Sequence, residues 1–167
     1  TKGGHHALIG AASTGKSTFV QTLLYSLIHR YTPEYLNIYV LDFSGRMTAP
    51  FEGAAHVGGI LYENDIGRVG KLFYLMQELI EQRKKLFRGG SYSQYVMVHG
   101  VVCPTVVLFI DNIANFREKT GEAYDEVLIR LAREGVNYGI YLFITAAGFG
   151  INEIQSQLGD HLRTTLS

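Results

Sequence analysis

One cysteine, Cys103, is all the thiol chemistry that this 167-residue chain carries, so no disulfide can form within it. Such usage suits a reducing, cytosolic setting. Cys103 itself, beside an apolar run, is expected to be a buried small hydrophobe. Net charge is absent too. Fifteen basic and fifteen acidic residues sum to +0, which leaves no bulk electrostatic drive toward DNA, RNA or an anionic membrane surface. No apolar run reaches membrane-spanning length, and no signal-peptide pattern opens the chain. No Cys/His cluster accompanies His5-His6, so these are expected as solvated loop residues and not metal ligands. Repeats and low-complexity tracts are also missing. What remains is 47% hydrophobic and 18% charged, which is the composition of an ordered domain long enough to bury a core. The opening residues Thr1-Lys2-Gly3-Gly4 are not an initiator segment, and His161 to Ser167 reads as the start of another strand. The expectation is a single domain, residues 1–167, taken from a longer protein.

Apolar runs alternate with helical patterns, which implies βαβ units and a mainly parallel sheet flanked by helices, an α/β fold. Strands are expected over His6 to Ile9, from Leu36 to a close at Asp42, over Gly59 to Tyr62, Thr105 to Asp111, and Tyr138 to Ala146. Phe19, Leu23, Leu24, Leu27 and Ile28 have helical spacing, and Thr32-Pro33-Glu34 ends that helix. A long helix is expected from Ile66 to Phe87, capped by Asn64 or Asp65. It would bury Val69, Leu72, Phe73, Leu75, Met76, Leu79, Ile80 and Leu86. Its terminal run Gln82-Arg83-Lys84-Lys85 suits the negative end of the helix dipole and reads as a solvated face. Arg88 to Tyr95 reads as a loop, Ala123 to Arg133 as a helix, and Asn152 to Leu158 as a final helix.

Gly10 to Ser17 reads GAASTGKS, between Ala7-Leu8-Ile9 and an apolar helical segment. The pattern G-x-x-x-x-G-K-[ST] in a strand–loop–helix setting is a phosphate-binding loop. Glycines let the backbone curl so that its N–H groups face phosphate oxygens. Lys16 can reach the β- and γ-phosphates, the Ser17 hydroxyl can coordinate Mg²⁺, and the helix start aims its positive end at the same anion. The candidate nucleotide-binding set is Gly10, Ser13, Thr14, Gly15, Lys16, Ser17 and Thr18.

A second half of such a site is an acid at the end of a buried parallel strand. Val106-Val107-Leu108-Phe109-Ile110-Asp111 supplies it, roughly 95 residues after Lys16. Asp111 is the candidate metal-associated acid together with Ser17; the plain alternative is a strand-end helix cap. In hydrolytic NTPases of this kind Glu usually follows that Asp and activates water. Here Asn112 follows, and an amide cannot act as a general base, a loss that commonly costs about 10²–10⁴ in rate.

The segments GAASTGKSTFVQTLL, LNIYVLDFSGR, AHVGGIL, IEQRKKLF, SYSQY, VVLFIDNIANF, LIRLAREGVNYGIYLFITA and GDHLRTTLS together resemble the FtsK/SpoIIIE branch of the additional-strand RecA-like ATPases. The likeness runs nearly the whole length of the chain. Within that branch the chain is most similar to the tandem ATPase modules of membrane-anchored type VII secretion proteins of the EssC/EccC kind, and to a middle module in particular. The resemblance implies a RecA-like P-loop core, Mg-ATP at an interface between modules, and ring assembly, typically hexameric. It also implies a cytoplasmic location, with membrane contact only through the parent protein. Translocating members carry A-T-Q after the apolar strand. Here Thr145-Ala146-Ala147 stands there, so Ala147 replaces the Gln that senses γ-phosphate. The family often supplies an arginine to a neighbour's site, for which Arg130 and Arg133, and more remotely Arg46, are candidates; the plain alternative for Arg130 and Arg133 is a solvated helix face.

Three readings stay open from the residues. One is a secretion-motor module that binds Mg-ATP with weak or absent autonomous hydrolysis and serves a secreted protein. That partner, or a linker of the same chain, would dock in an apolar groove, with the segment around Tyr92 and Tyr95 as one location. The second is an FtsK-like DNA translocase, which the charge balance and the missing Glu and Gln disfavour. The third is a nucleotide-gated interaction module without catalysis.

Overall fold

The computed structural model describes residues 5–10, 16–147 and 162–166, with side chains for residues 18–146. Within these lie β1 (His5–Gly10), α1 (Lys16–Arg30), β2 (Leu36–Asp42), β3 (Val57–Tyr62), α2 (Ile66–Phe87), α3 (Tyr92–His99), β4 (Thr105–Asp111), α4 (Ile113–Thr120), α5 (Asp125–Glu134), β5 (Ile140–Ala147) and β6 (Leu162–Leu166). The six strands form one sheet in the order β3-β2-β4-β5-β1-β6. Every pairing is parallel, as βαβ crossovers require. The expected α/β architecture is therefore present. The terminal segment does form a strand, β6, paired with β1. The helix expected over Asn152 to Leu158 lies outside the described residues.

Strand alternation divides the core between the two faces of the sheet. Leu36, Ile38 and Val40 of β2 and Phe109 of β4 pack with Val20 and Leu24 of α1. Leu41 of β2 and Val106, Leu108 and Ile110 of β4 pack with α2, α4 and α5 on the other face. There Phe116 of α4 meets Phe43 edge-on at 5.2 Å and Phe73 at 6.2 Å. Asp125 and Glu126 open α5, where acids suit the helix dipole.

Several local expectations change. Asp65 stands at the start of α2, but its carboxylate accepts from the Tyr62 N–H across a preceding 3₁₀ turn and caps no α2 N–H. Leu75 and Leu86 are exposed, and Leu79 is only partly buried. Arg83, expected in solvent, is 4% exposed. The segment expected as a loop becomes α3, because Ser91 Oγ accepts from the Gln94 N–H while the Gln94 side chain accepts from the Ser91 N–H. That reciprocal capping box sets a helix start. The stretch after Asp111 forms α4, a helix that the sequence pattern did not suggest. β1 contains His6, as the strand expected from His6 implied, and begins one residue earlier at His5, so neither histidine is in a loop. Cys103 is half-buried. No helix among the described residues is long and apolar enough to cross a membrane.

Arg83 is the most unusual buried group. Its Nη1 donates to Tyr138 O at 2.7 Å and its Nη2 to Pro104 O at 2.6 Å. The guanidinium also lies over the Tyr92 ring, 5.6 Å from its centroid. Burial lowers its pKa, while Cys103 and Tyr92 act in the opposite sense. Gly139 makes the close packing feasible. Its φ is +74°, and a Cβ there would come within 2.8 Å of the Tyr92 ring.

Candidate nucleotide site at the strand ends

Parallel strands end together at one edge of the sheet, and ligands in such folds bind beyond those carboxyl ends. Here β2 ends at Asp42, β4 at Asp111, and β1 at Gly10. Asp42 and Asp111 pair directly across β2 and β4. Leu8 pairs with Thr145 and Gly10 with Ala147 across β1 and β5. Period-2 alternation places Asp42, Asp111 and Thr145 on the α1 face, since Val40, Phe109 and Phe143 all pack there. The acid, the hydroxyl and the strand leading to GAASTGKS thus meet at one edge and on one face. Of the nucleotide-binding candidates, Gly10 closes β1, Lys16 and Ser17 open α1, and Thr18 is exposed in its first turn. Ser13, Thr14 and Gly15 lie outside the described residues.

Asp111 is 2% exposed, and its Oδ1 accepts from Thr145 Oγ1 at 2.6 Å. Thr145 Oγ1 in turn accepts from the Asn112 N–H at 2.8 Å. The neighbouring acid, Asp42, is committed to its own loop. Its Oδ1 accepts from the Ser44 N–H, and its Oδ2 accepts from the N–H and the hydroxyl of Thr48 at 2.9 and 2.6 Å. Gln21 of α1 holds the same loop by donating to Met47 O at 2.6 Å. At its tip Arg46 adopts φ +62°, and its guanidinium lies 3.7 Å from the centre of the Tyr62 ring.

Asn112 has a structural task. Its φ of +72° is in the left-handed region, and its side-chain oxygen caps α4 by accepting from the Asn115 N–H at 3.1 Å. Among residues with a side chain, Asn tolerates that conformation best. Asn115 then donates to Phe43 O at 3.0 Å and to the Glu63 carboxylate. The amide following Asp111 is therefore turned into the start of α4. Asn112→Ala is expected to lower stability by about 1–3 kcal/mol, from the lost cap and the strained φ. Asn112→Gly is expected to cost only a few tenths. Urea unfolding of the two variants checks this order.

Mg²⁺ prefers oxygen ligands and keeps several waters, taking one or two carboxylates and the rest from phosphates. Among the described residues no three His, Cys, Asp or Glu converge. With Asp42 taken up by its own loop, the buried Asp111 carboxylate at this edge fits Mg²⁺ carried by a nucleotide better than a metal caged by protein alone.

Arg130 and Arg133 are not brought to this edge. Helix α5 runs back toward the opposite edge, where β4 and β5 begin. Arg130 pairs with Glu81 at 2.5 Å and with Glu134 at 3.4 Å; Arg133 is 3.6 Å from Glu134. At that same edge lies a cleft of about 490 Å³ lined by Tyr31, Tyr35, Tyr92, Val96 and Thr105, among others. Tyr92 is an anchor as well as a wall, since its hydroxyl donates to Cys103 O at 2.9 Å.

Asp42, Thr48, Thr145 and Asn115 are among the polar residues of the strand-end edge to which sequence reasoning assigned no role there. Counting alternate residues back from Asp111 and across to the next apolar strand would have found Thr145. Nothing local marked Asn115.

A parallel sheet whose first strand leads into GAASTGKS and whose fourth ends in an acid matches the RecA-like P-loop ATPase fold. The FtsK/SpoIIIE family pattern matches residues 1–102, and the chain belongs to that family. Its relatives include the type VII secretion system protein EssC of Staphylococcus aureus strain MRSA252, 26% identical over 99% of this chain and 11% of that protein. The chain thus spans about a tenth of the length of the curated relatives that it matches. Among solved structures, EssC ATPases 2 and 3 from Geobacillus thermodenitrificans superpose with a TM-score of 0.87 at 27% identity, covering 98% of this chain and 32% of that one. Thermomonospora curvata EccC ATPases 2 and 3, in complex with a signal sequence peptide, give 0.82 at 29%, over 93% of this chain and 30% of that one.

Proposed function

We propose that this chain is an ATP-binding module of a type VII secretion motor, one domain over residues 1–167 within a longer protein. It holds Mg-ATP through Gly10, Ser13, Thr14, Gly15, Lys16, Ser17 and Thr18, with Ser17 and Asp111 on the metal side. The metal, when bound, neutralises charge shared by the β- and γ-phosphates. The observation that carries the reading is the fixed Asp111 carboxylate on the α1 face of the edge where β1 ends. Hydrolysis by the module alone is weak or absent. Asn112 is occupied as a helix cap, and Ala147 has no polar group to meet a phosphate or a water.

The relatives are multi-ATPase proteins, so the partners proposed here are sister modules of the same chain, assembled as a ring on the cytoplasmic side of a membrane through the parent protein. Arg133, the more exposed of the α5 arginines, is the candidate for an arginine offered to a neighbour. The EccC complex contains a signal sequence peptide; the tyrosine-lined cleft at the opposite edge is one surface among the described residues suited to a peptide of a secreted protein.

Saturating Mg-ATP, at about 100 times its dissociation constant, should stabilise the fold by about 2.7 kcal/mol, a rise in Tm of roughly 5–10 °C for a chain of this size. Radiolabelled ATP bound at that concentration should be recovered largely intact after an hour. No thermal shift at millimolar Mg-ATP would remove the binding assignment. Turnover at ordinary ATPase rates by the module alone would remove the assignment of weak hydrolysis.

A further inference from the structure

We propose that Thr145 is a positioning residue for the metal-bound nucleotide, acting through Asp111. This deepens the Mg-ATP reading above and rests on it. Thr145 is 2% exposed, and its hydroxyl lies between two groups of Asp111-Asn112. A backbone N–H can only donate, so Thr145 Oγ1 must accept from Asn112. Its single hydrogen is then committed to Asp111 Oδ1. Both directions are dictated by the chain itself. The arrangement holds Oδ1 as an acceptor and fixes the plane of the carboxylate.

The position on the sheet gives this bond its consequence. Strand β5 lies between β4 and β1, and Thr145 pairs with Leu8, two residues before Gly10 pairs with Ala147. Thr145 is thus the link between the acid and the strand that carries the phosphate-binding loop. The same hydroxyl holds the N–H of Asn112, whose side chain starts α4. The Asp111 carboxylate is thereby tied to β5 and, through Asn112, to the start of α4. Outer partners that orient a metal-associated ligand typically contribute about 10–100-fold in metal affinity. A merely structural hydroxyl would satisfy the same buried groups without favouring metal over nucleotide.

The test measures the affinity of a fluorescent ATP analogue with Mg²⁺ and with EDTA, for the wild-type protein, Thr145→Val and Thr145→Ser. Thr145→Val should lose about 10–100-fold in the presence of Mg²⁺ and remain near wild type in EDTA. Thr145→Ser, which keeps the hydroxyl, should stay close to wild type in both. Adding Thr145→Val to Asp111→Asn should cause no further loss. If the valine variant does not unfold cooperatively, Thr145→Ala carries the comparison. Equal losses with and without Mg²⁺, or an unchanged Mg²⁺ dependence, would overturn the positioning role. Absence of nucleotide binding by the wild-type protein would instead remove the site reading, and this inference with it.

Discussion

Arg83→Ala is expected to lower the unfolding free energy by about 3–5 kcal/mol, among the largest effects of any single substitution outside the apolar core. The side chain is buried and its two donor nitrogens reach carbonyls at the starts of two strands, Pro104 O before β4 and Tyr138 O before β5. Truncation leaves both carbonyls unsatisfied at about 1–3 kcal/mol each and opens a void beside the Tyr92 ring. Arg83→Lys should recover only part of this, since an ammonium lacks the planar fork that spans two acceptors. Chemical denaturation should show a lower midpoint with an unchanged slope. The contacts of Arg83 lie at the edge opposite Asp111, so folded Arg83→Ala protein should bind nucleotide as the wild type does. A loss below 1 kcal/mol would show that the guanidinium is dispensable to the packing of α2 against the strand starts.

Lys16→Ala is expected to cut the thermal shift caused by a fixed concentration of Mg-ATP by about half or more. A charge-assisted contact to phosphate contributes about 1.5–3 kcal/mol, so affinity should fall roughly 10- to 150-fold. Alanine is the better helix former, and α1 begins at Lys16, so the unliganded Tm should not fall. That separates loss of a ligand contact from loss of fold. A thermal shift of wild-type size in Lys16→Ala would mean that the nucleotide is held somewhere other than at GAASTGKS.

These two lysine and arginine positions illustrate what local patterns expose. Lys16 stands in a contiguous motif in which each residue type has a reason at its place. Arg83 was hidden by its neighbours, since Gln-Arg-Lys-Lys reads as solvated charge. The period of α2 did contain the signal. Val69, Phe73, Met76, Ile80, Arg83 and Phe87 follow one helical stripe, and all are buried. Composition suggested solvent at position 83, but spacing along the helix pointed inward, and spacing won because two carbonyls and a ring were there to receive the charge. The missed helix α4 has a similar cause. Its start depends on a left-handed Asn112 and a cap to Asn115, features of backbone conformation that carry little hydrophobic periodicity.

The sequence by itself determined the parallel α/β class, the contiguous GAASTGKS motif and the apolar strand that ends in Asp111. Those follow from contiguous motifs and from periods of 2 and 3.6, which a chain displays without being folded. Only the tertiary structure decided what those residues touch. It set Asp111 and Asp42 side by side and then gave them different tasks, one bonded to Thr145 and the other closing its own loop. It turned Asn112 into α4 and sent Arg130 and Arg133 to the far edge. The physical reason is that hydrogen bonds among buried polar groups join strands far apart in the chain. Their partners are chosen by the register of neighbouring strands, and strand register is a property of the assembled sheet.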